Sequence, residues 1–97
     1  MSQIAIEHEE VDGRGAFFVA REGVRLAVLS YTRVDASTVI IDHTEVNQAL
    51  RGLGVARRLL DRTVAWARET KTQVMATCPY AKGEFERDAS IQDVMKR

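Results

Sequence analysis

The stretch Thr44-Glu45-Val46-Asn47-Gln48-Ala49-Leu50-Arg51-Gly52-Leu53-Gly54-Val55-Ala56-Arg57-Arg58-Leu59-Leu60 decides the fold. It sets a glycine-containing turn between a strand and an amphipathic helix. Glycines let the backbone approach an anion closely, and the helix that follows aims unpaired N–H groups and its positive dipole end at the same point. Arg51-Gly52-Leu53-Gly54-Val55-Ala56 therefore reads as a phosphate seat. Rival phosphate motifs do not fit. The chain has no Gly-Lys-Ser or Gly-Lys-Thr, and the three-glycine dinucleotide fingerprint needs repeated strand-helix units for which 97 residues leave no room.

Outward from the turn, Thr38 to Val46 predicts a strand before it and Val55 to Thr70 a helix after it. Val55, Ala56, Leu59, Leu60, Val64, Trp66 and Ala67 project on one half of that helix. Arg57, Arg58, Asp61, Arg62, Arg68 and Glu69 project on the other. Upstream, Ile4 and Ile6 alternate with polar residues and suggest a first strand, followed by a turn over Val11 to Gly15 and a second strand from Ala16 to Ala20. Arg21-Glu22-Gly23 is a hairpin turn into a third strand from Val24 to Val34, and Asp35-Ala36-Ser37 leads into the fourth. Downstream, Lys71 to Cys78 reads as a fifth strand with Val74, Ala76 and Cys78 on one face. Pro79 opens a helix to about Arg87 with Cys78 at its N-cap, and Ser90 caps a final short turn. The expected order is β-β-β-β-α-β-α, a mixed α+β fold.

Composition narrows the function classes. One domain with one core is expected at this length. Fourteen basic and fourteen acidic residues balance, and the basic ones are scattered, which argues against nucleic acid or a membrane surface as partner. The polar, acidic N-terminal stretch is unlike a secretory signal, and a single cysteine makes no internal disulfide, so a reducing cytoplasm is expected. His8, His43 and Cys78 lack metal-ligand spacing, so no metal is expected.

This element order, with Arg51-Gly52-Leu53-Gly54-Val55-Ala56 at the fourth-strand-to-helix junction, resembles the GNAT superfamily of acyl-CoA N-acyltransferases. His43-Thr44-Glu45-Val46 ahead of the turn, Cys78-Pro79-Tyr80 after the fifth strand and the small size resemble its minimal YjdJ-type branch. The resemblance implies a sheet whose fourth and fifth strands splay apart to admit the pantetheine arm of acetyl-CoA. Val46 would mark the pantetheine edge, and Gly52, Leu53, Gly54, Val55 and Ala56 would offer amides to the pyrophosphate, with Arg51 shaping the turn. Two departures from the family pattern stand out. Val11 to Gly15 has room only for a turn where larger members insert helices, so the acceptor side should be open. Aligned on Ala81, Cys78 and Phe85 replace the asparagine and tyrosine of the Asn-x-x-Ala-x-x-x-Tyr pattern, so the usual proton donor to the departing thiolate is missing.

Acyl transfer to an amine needs a base, a polarised carbonyl and a proton for the leaving thiolate. Histidine is a common general base, so His43 is a candidate, although a strand histidine is as often a plain core or edge residue. Glu45 shares its strand face and could orient it. A thiol at a helix N-terminus has its thiolate stabilised, so Cys78 is a candidate nucleophile with His43 as its base. The other route is direct attack on acetyl-CoA, with His43 as base and Cys78 or Tyr80 returning the proton. Cys78 as a small buried hydrophobe is the plain alternative.

The leading expectation is an N-acetyltransferase using acetyl-CoA, with an unidentified amine acceptor, an exposed protein or peptide amine suiting an open acceptor side. The alternative is a non-catalytic acyl-CoA-binding or regulatory module. A homodimer would help so small a domain bury surface.

Overall fold

The computed structural model describes residues 4–96. Its elements are β1 (Glu7–Val11), β2 (Arg14–Arg21), β3 (Val24–Asp35), β4 (Thr38–Val46), α1 (Val55–Thr70), β5 (Gln73–Ala76) and α2 (Pro79–Arg87), with 3-10 turns at Gln48–Leu50 and Ala89–Val94. The strands form one five-stranded sheet in sequential order. β1 to β4 run antiparallel and β5 lies parallel to β4.

Two-residue turns set the first hairpins. Asp12-Gly13 and Glu22-Gly23 both adopt positive φ, at 52° and 78° in each pair, as tight hairpins require. The first turn corrects the sequence reading of the N-terminus. It is shorter than Val11 to Gly15, it pairs Val11 with Arg14 and Glu7 with Phe18, and the strand starts at Glu7 rather than among the isoleucines. Ile4 and Ile6 precede the strand and pack against the core instead.

Helix α1 packs across β2, β3 and β4, and α2 across β4 and β5, so both helices lie on one face. That face carries Val19, Leu29, Tyr31, Val39, Ile41 and Val74, which form the core with Leu59, Leu60, Val64, Ala81 and Phe85. Tyr31 lies across Gly15, its cross-strand partner. A Cβ on Gly15 would fall 2.1 Å from the tyrosine ring, so no larger residue fits. Residues of the opposite alternation, among them Phe18, Val28 and Ile40, turn to a face on which no helix lies among the described residues.

Strand β5 is shorter than the expected Lys71 to Cys78. Lys71 is the left-handed C-cap of α1, with φ 55°, and at the other end the amides of Thr77 and Cys78 both turn to the carbonyl of Ile41. The final turn also differs: Asp88 rather than Ser90 is its cap, accepting the Ser90 amide. Met95 bridges Val74 in parallel and the Lys96 amide binds the Val74 carbonyl, which covers the outer edge of β5.

Candidate active site

The last β4–β5 pair is Ile41 with Ala76. β4 continues to Val46 while the chain after Ala76 turns away into α2, so the strands part at Asp42 and leave a gap. The same point carries a bulge. Ser30 pairs with His43 and Tyr31 with Ile41, leaving Asp42 without a partner on β3.

The bulge fixes which side chains meet, because one extra residue reverses the alternation beyond it. Thr44 pairs with Leu29 and Val46 with Ala27, so both face the helices. His43 and Glu45 pair with Ser30 and Val28 on the helix-free face. His43 Nε2 lies 3.3 Å from Glu45 Oε2, with the side chains 60% and 71% exposed. Cys78 is buried, and its Sγ lies 3.3 Å from Thr44 Oγ1. The structure therefore does not pair His43 with Cys78: they lie on opposite faces, and a nucleophilic Cys78 has no His43 base beside it.

The glycine turn has the form its sequence predicts, with one insertion. Asn47 caps a short 3-10 turn through the Ala49 amide before the glycines. Gly52 and Gly54 have φ of 84° and 68°, and apart from the adjoining residues no protein atom lies within 4 Å of where either would carry a Cβ. Gly54 is the N-cap of α1, no side chain caps the helix, and its first turn carries no acidic residue. The leading amides are thus free for an anion. These features fit a pyrophosphate, and the pocket of about 240 Å³ above them is lined by Val46, Arg51, Gly52, Gly54, Val55 and Ala56, with Tyr80 from α2. Of the residues expected to hold acetyl-CoA only Leu53 is absent from that lining, and it is 55% exposed; the candidate catalytic residues His43, Glu45 and Cys78 are absent from it as well.

Arg57 also lines the pocket, yet its guanidinium is committed to Asp61, Glu84 and Asp88. It fastens α1 to α2. Arg87 and Arg57 hold the Glu84 carboxyl below its ordinary range. Tyr80 Oη reaches Glu84 Oε1 only at 3.5 Å, a limiting distance, and burial followed by the Glu84 charge pushes the phenol's pKa up. Phe85, in place of the family tyrosine, is core, at 1% exposure. Tyr80 is the phenol on the pocket wall.

Thr44 was not among the residues singled out from the sequence. Its signal is the break of alternation after Val39 and Ile41, where Asp42, His43 and Thr44 are all polar, as a bulge permits and a regular half-buried strand does not.

A splayed β4–β5 pair with an uncapped glycine N-cap at its mouth defines an acyl-CoA transferase fold, and the comparisons agree. The family model described as GCN5-related N-acetyl-transferase matches residues 16–94, and the chain belongs to that family of enzymes. Protein NATD1 of Xenopus tropicalis is 36% identical over 80 residues, spanning 81% of this chain and 72% of that protein. A GCN5-like protein from Staphylococcus aureus, solved in solution by NMR, is 35% identical with TM-score 0.74, covering 99% of this chain and 91% of that one. At 13% identity, a GNAT family acetyltransferase from Elizabethkingia anophelis with acetyl-CoA bound shares the fold, with TM-score 0.57 over 77% of this chain and 50% of that one. The chain is an acetyl-CoA-dependent N-acetyltransferase by family, with the mixed sheet of that fold.

Proposed function

We propose that the chain acetylates an amine by direct attack on acetyl-CoA. The acceptor arrives on the helix-free face and the CoA thiol leaves on the helix side. The carrying observation is the division made by the bulge: His43 and Glu45 face one way, and Thr44, Val46 and Cys78 the other, where β4 leaves β5. Acetyl-CoA supplies an activated acetyl group. The amides from Gly52 to Ala56 hold its pyrophosphate, and Val46 borders its pantetheine arm. His43 takes the amine proton, and Glu45, 3.3 Å away, balances the imidazolium. Tyr80 returns a proton to the thiolate on the other side. One N–C bond forms, one C–S bond breaks, and the two protons are handled on opposite faces. The motifs His43-Thr44-Glu45-Val46 and Cys78-Pro79-Tyr80 support the minimal YjdJ-type branch, and a free Cys78 thiol supports a reducing cytoplasm.

The position of Cys78 in the gap favours one second reading, an acetyl-cysteine intermediate. Intact-mass spectrometry after incubation with acetyl-CoA, alongside a CoA titration, separates the two. Direct transfer predicts CoA binding without an adduct, and His43→Gln that binds CoA normally while transfer falls by about 10²-fold or more. An adduct that Cys78→Ser abolishes would replace direct transfer with the cysteine route, and failure to bind CoA would remove the donor site altogether.

A further inference from the structure

On the helix-free face, a second pocket of about 310 Å³ is lined by Arg14, Gly15, Ser30, Tyr31, Thr32 and Asp42. We infer that it is the acceptor subsite and that it fits an amino-acid-like zwitterion, an amine with a carboxylate close by, rather than a simple cationic amine. This rests on the direct-transfer reading above.

Asp42 is the bulge residue at which β4 and β5 part. Its carboxylate is held by Ser30 Oγ at 2.6 Å on one oxygen and by Thr32 Oγ1 at 2.8 Å on the other. Each oxygen keeps acceptor capacity for an ammonium. The bulge also leaves Asp42 and His43, consecutive in the chain, on the same face, so an ammonium held by Asp42 sits beside His43; it first loses one proton to solvent, and His43 takes the second as the N–C bond forms.

A lone carboxylate would suit any cationic amine, but Arg14 opposes one. Arg14 is the cross-strand partner of Thr32 and lines the same pocket as Asp42, so in the sheet Thr32 lies between the two residues. Across two strand spacings, about 10 Å, the long arginine side chain can reach back toward a carboxylate whose ammonium rests on Asp42. A pocket offering one anion and one cation repels a bare cation or anion at one end and matches a molecule carrying both. Its volume is that of a small-metabolite site.

The test is titration of 15N-labelled protein, in the presence of CoA, with L-alanine, L-alaninamide and propionate, followed by amide chemical shifts. L-alanine should move the signals of Gly15, Ser30, Thr32 and Asp42. Alaninamide and propionate should bind roughly tenfold more weakly, as should L-alanine to Asp42→Asn and Arg14→Gln, each having lost about one charge-assisted hydrogen bond. Equal response to alaninamide, indifference to both substitutions, or no shift at these signals would overturn the zwitterion site. The CoA-induced shifts of Gly52 to Ala56 in the same samples report the donor site separately, so failure of one reading is not mistaken for failure of the other.

Discussion

Cys78 Sγ donates to Thr44 Oγ1 across 3.3 Å, joining the N-cap of α2 to β4 on the helix side of the gap. Both residues come from segments that have just parted, and the contact bridges them beyond the last β4–β5 pair. It ties the buried thiol to β4. A larger side chain at position 78 would have to displace that contact.

Cys78→Ser keeps a small donor and should leave the KM for acetyl-CoA within about threefold of wild type. Cys78→Leu adds bulk to a packed site, and overpacking of this kind is resisted, so its KM should rise by about tenfold or more. Steady-state kinetics with varied acetyl-CoA would show it, and equal KM values for the two variants would place the thioester elsewhere.

Tyr80→Phe should lower kcat by about 10²-fold with little change in KM, the pattern of a lost proton donor. Packing against the pocket is retained because only the hydroxyl goes. A rise in KM alone would make Tyr80 a wall residue and return the thiolate proton to Cys78.

Gly54→Ala forces a left-handed residue to carry a Cβ, which costs about 1–2 kcal/mol. The new methyl would also project where, apart from the adjoining residues, no protein atom stands within 4 Å, into the space read as the anion's. CoA affinity should fall by about tenfold or more, beyond what the lower stability explains, with calorimetric titration at a temperature where the variant is fully folded as the check.

Gly15→Ala places its methyl inside the ring of Tyr31, 2.1 Å from a carbon. Either the strand or the ring must shift, and the loss in urea unfolding should be about 1–3 kcal/mol or more. The double variant with Tyr31→Leu should recover part of it, since the clash has then been removed.

Stability should also fall in two stages on acidification. His8 is stacked on Phe17 and bonded to Tyr31 at 2.7 Å. Burial, and then Arg62, lower its pKa below 6.5. The unfolded chain therefore binds a proton before the folded one does, and stability is lost as pH falls below about 6.5. Glu10, held by Arg33 and bonded by Tyr31, has its pKa lowered from 4.5 to about 2. Its contribution is present above about 4.5 and is lost as pH falls toward about 2. Thermal melts from pH 8 to 3 should show both stages, and His8→Gln should remove the first. Melts of that variant that still weaken between pH 7 and 5 as wild type does would clear His8 of the role.

Local chemistry carried most of the fold. The places of both hairpin turns, the apolar half of Val55–Thr70 as a packed helix and Pro79 as a helix start were legible locally, although the first turn was read over Val11 to Gly15 and closes tightly over Asp12-Gly13. The glycine turn was legible for the same reason: the φ that Gly52 and Gly54 adopt and the bare N-terminus of α1 are properties of a short segment. The start of β1 was missed because its register follows from pairing with β2, which outweighs the alternation of Ile4 and Ile6.

The sequence by itself determined that a glycine turn leads from β4 into a bare helix N-terminus, and that His43 and Glu45 share a face while Cys78 caps a helix. Tertiary structure alone decided that the histidine and the cysteine face opposite ways, that Thr44 meets the thiol and that Asp42 turns toward Ser30 and Thr32. The reason is the bulge at Asp42. One unpaired residue inverts every side chain beyond it, and whether a strand takes that extra residue is settled by its pairing with the neighbouring strand, which a local reading of the chain does not contain.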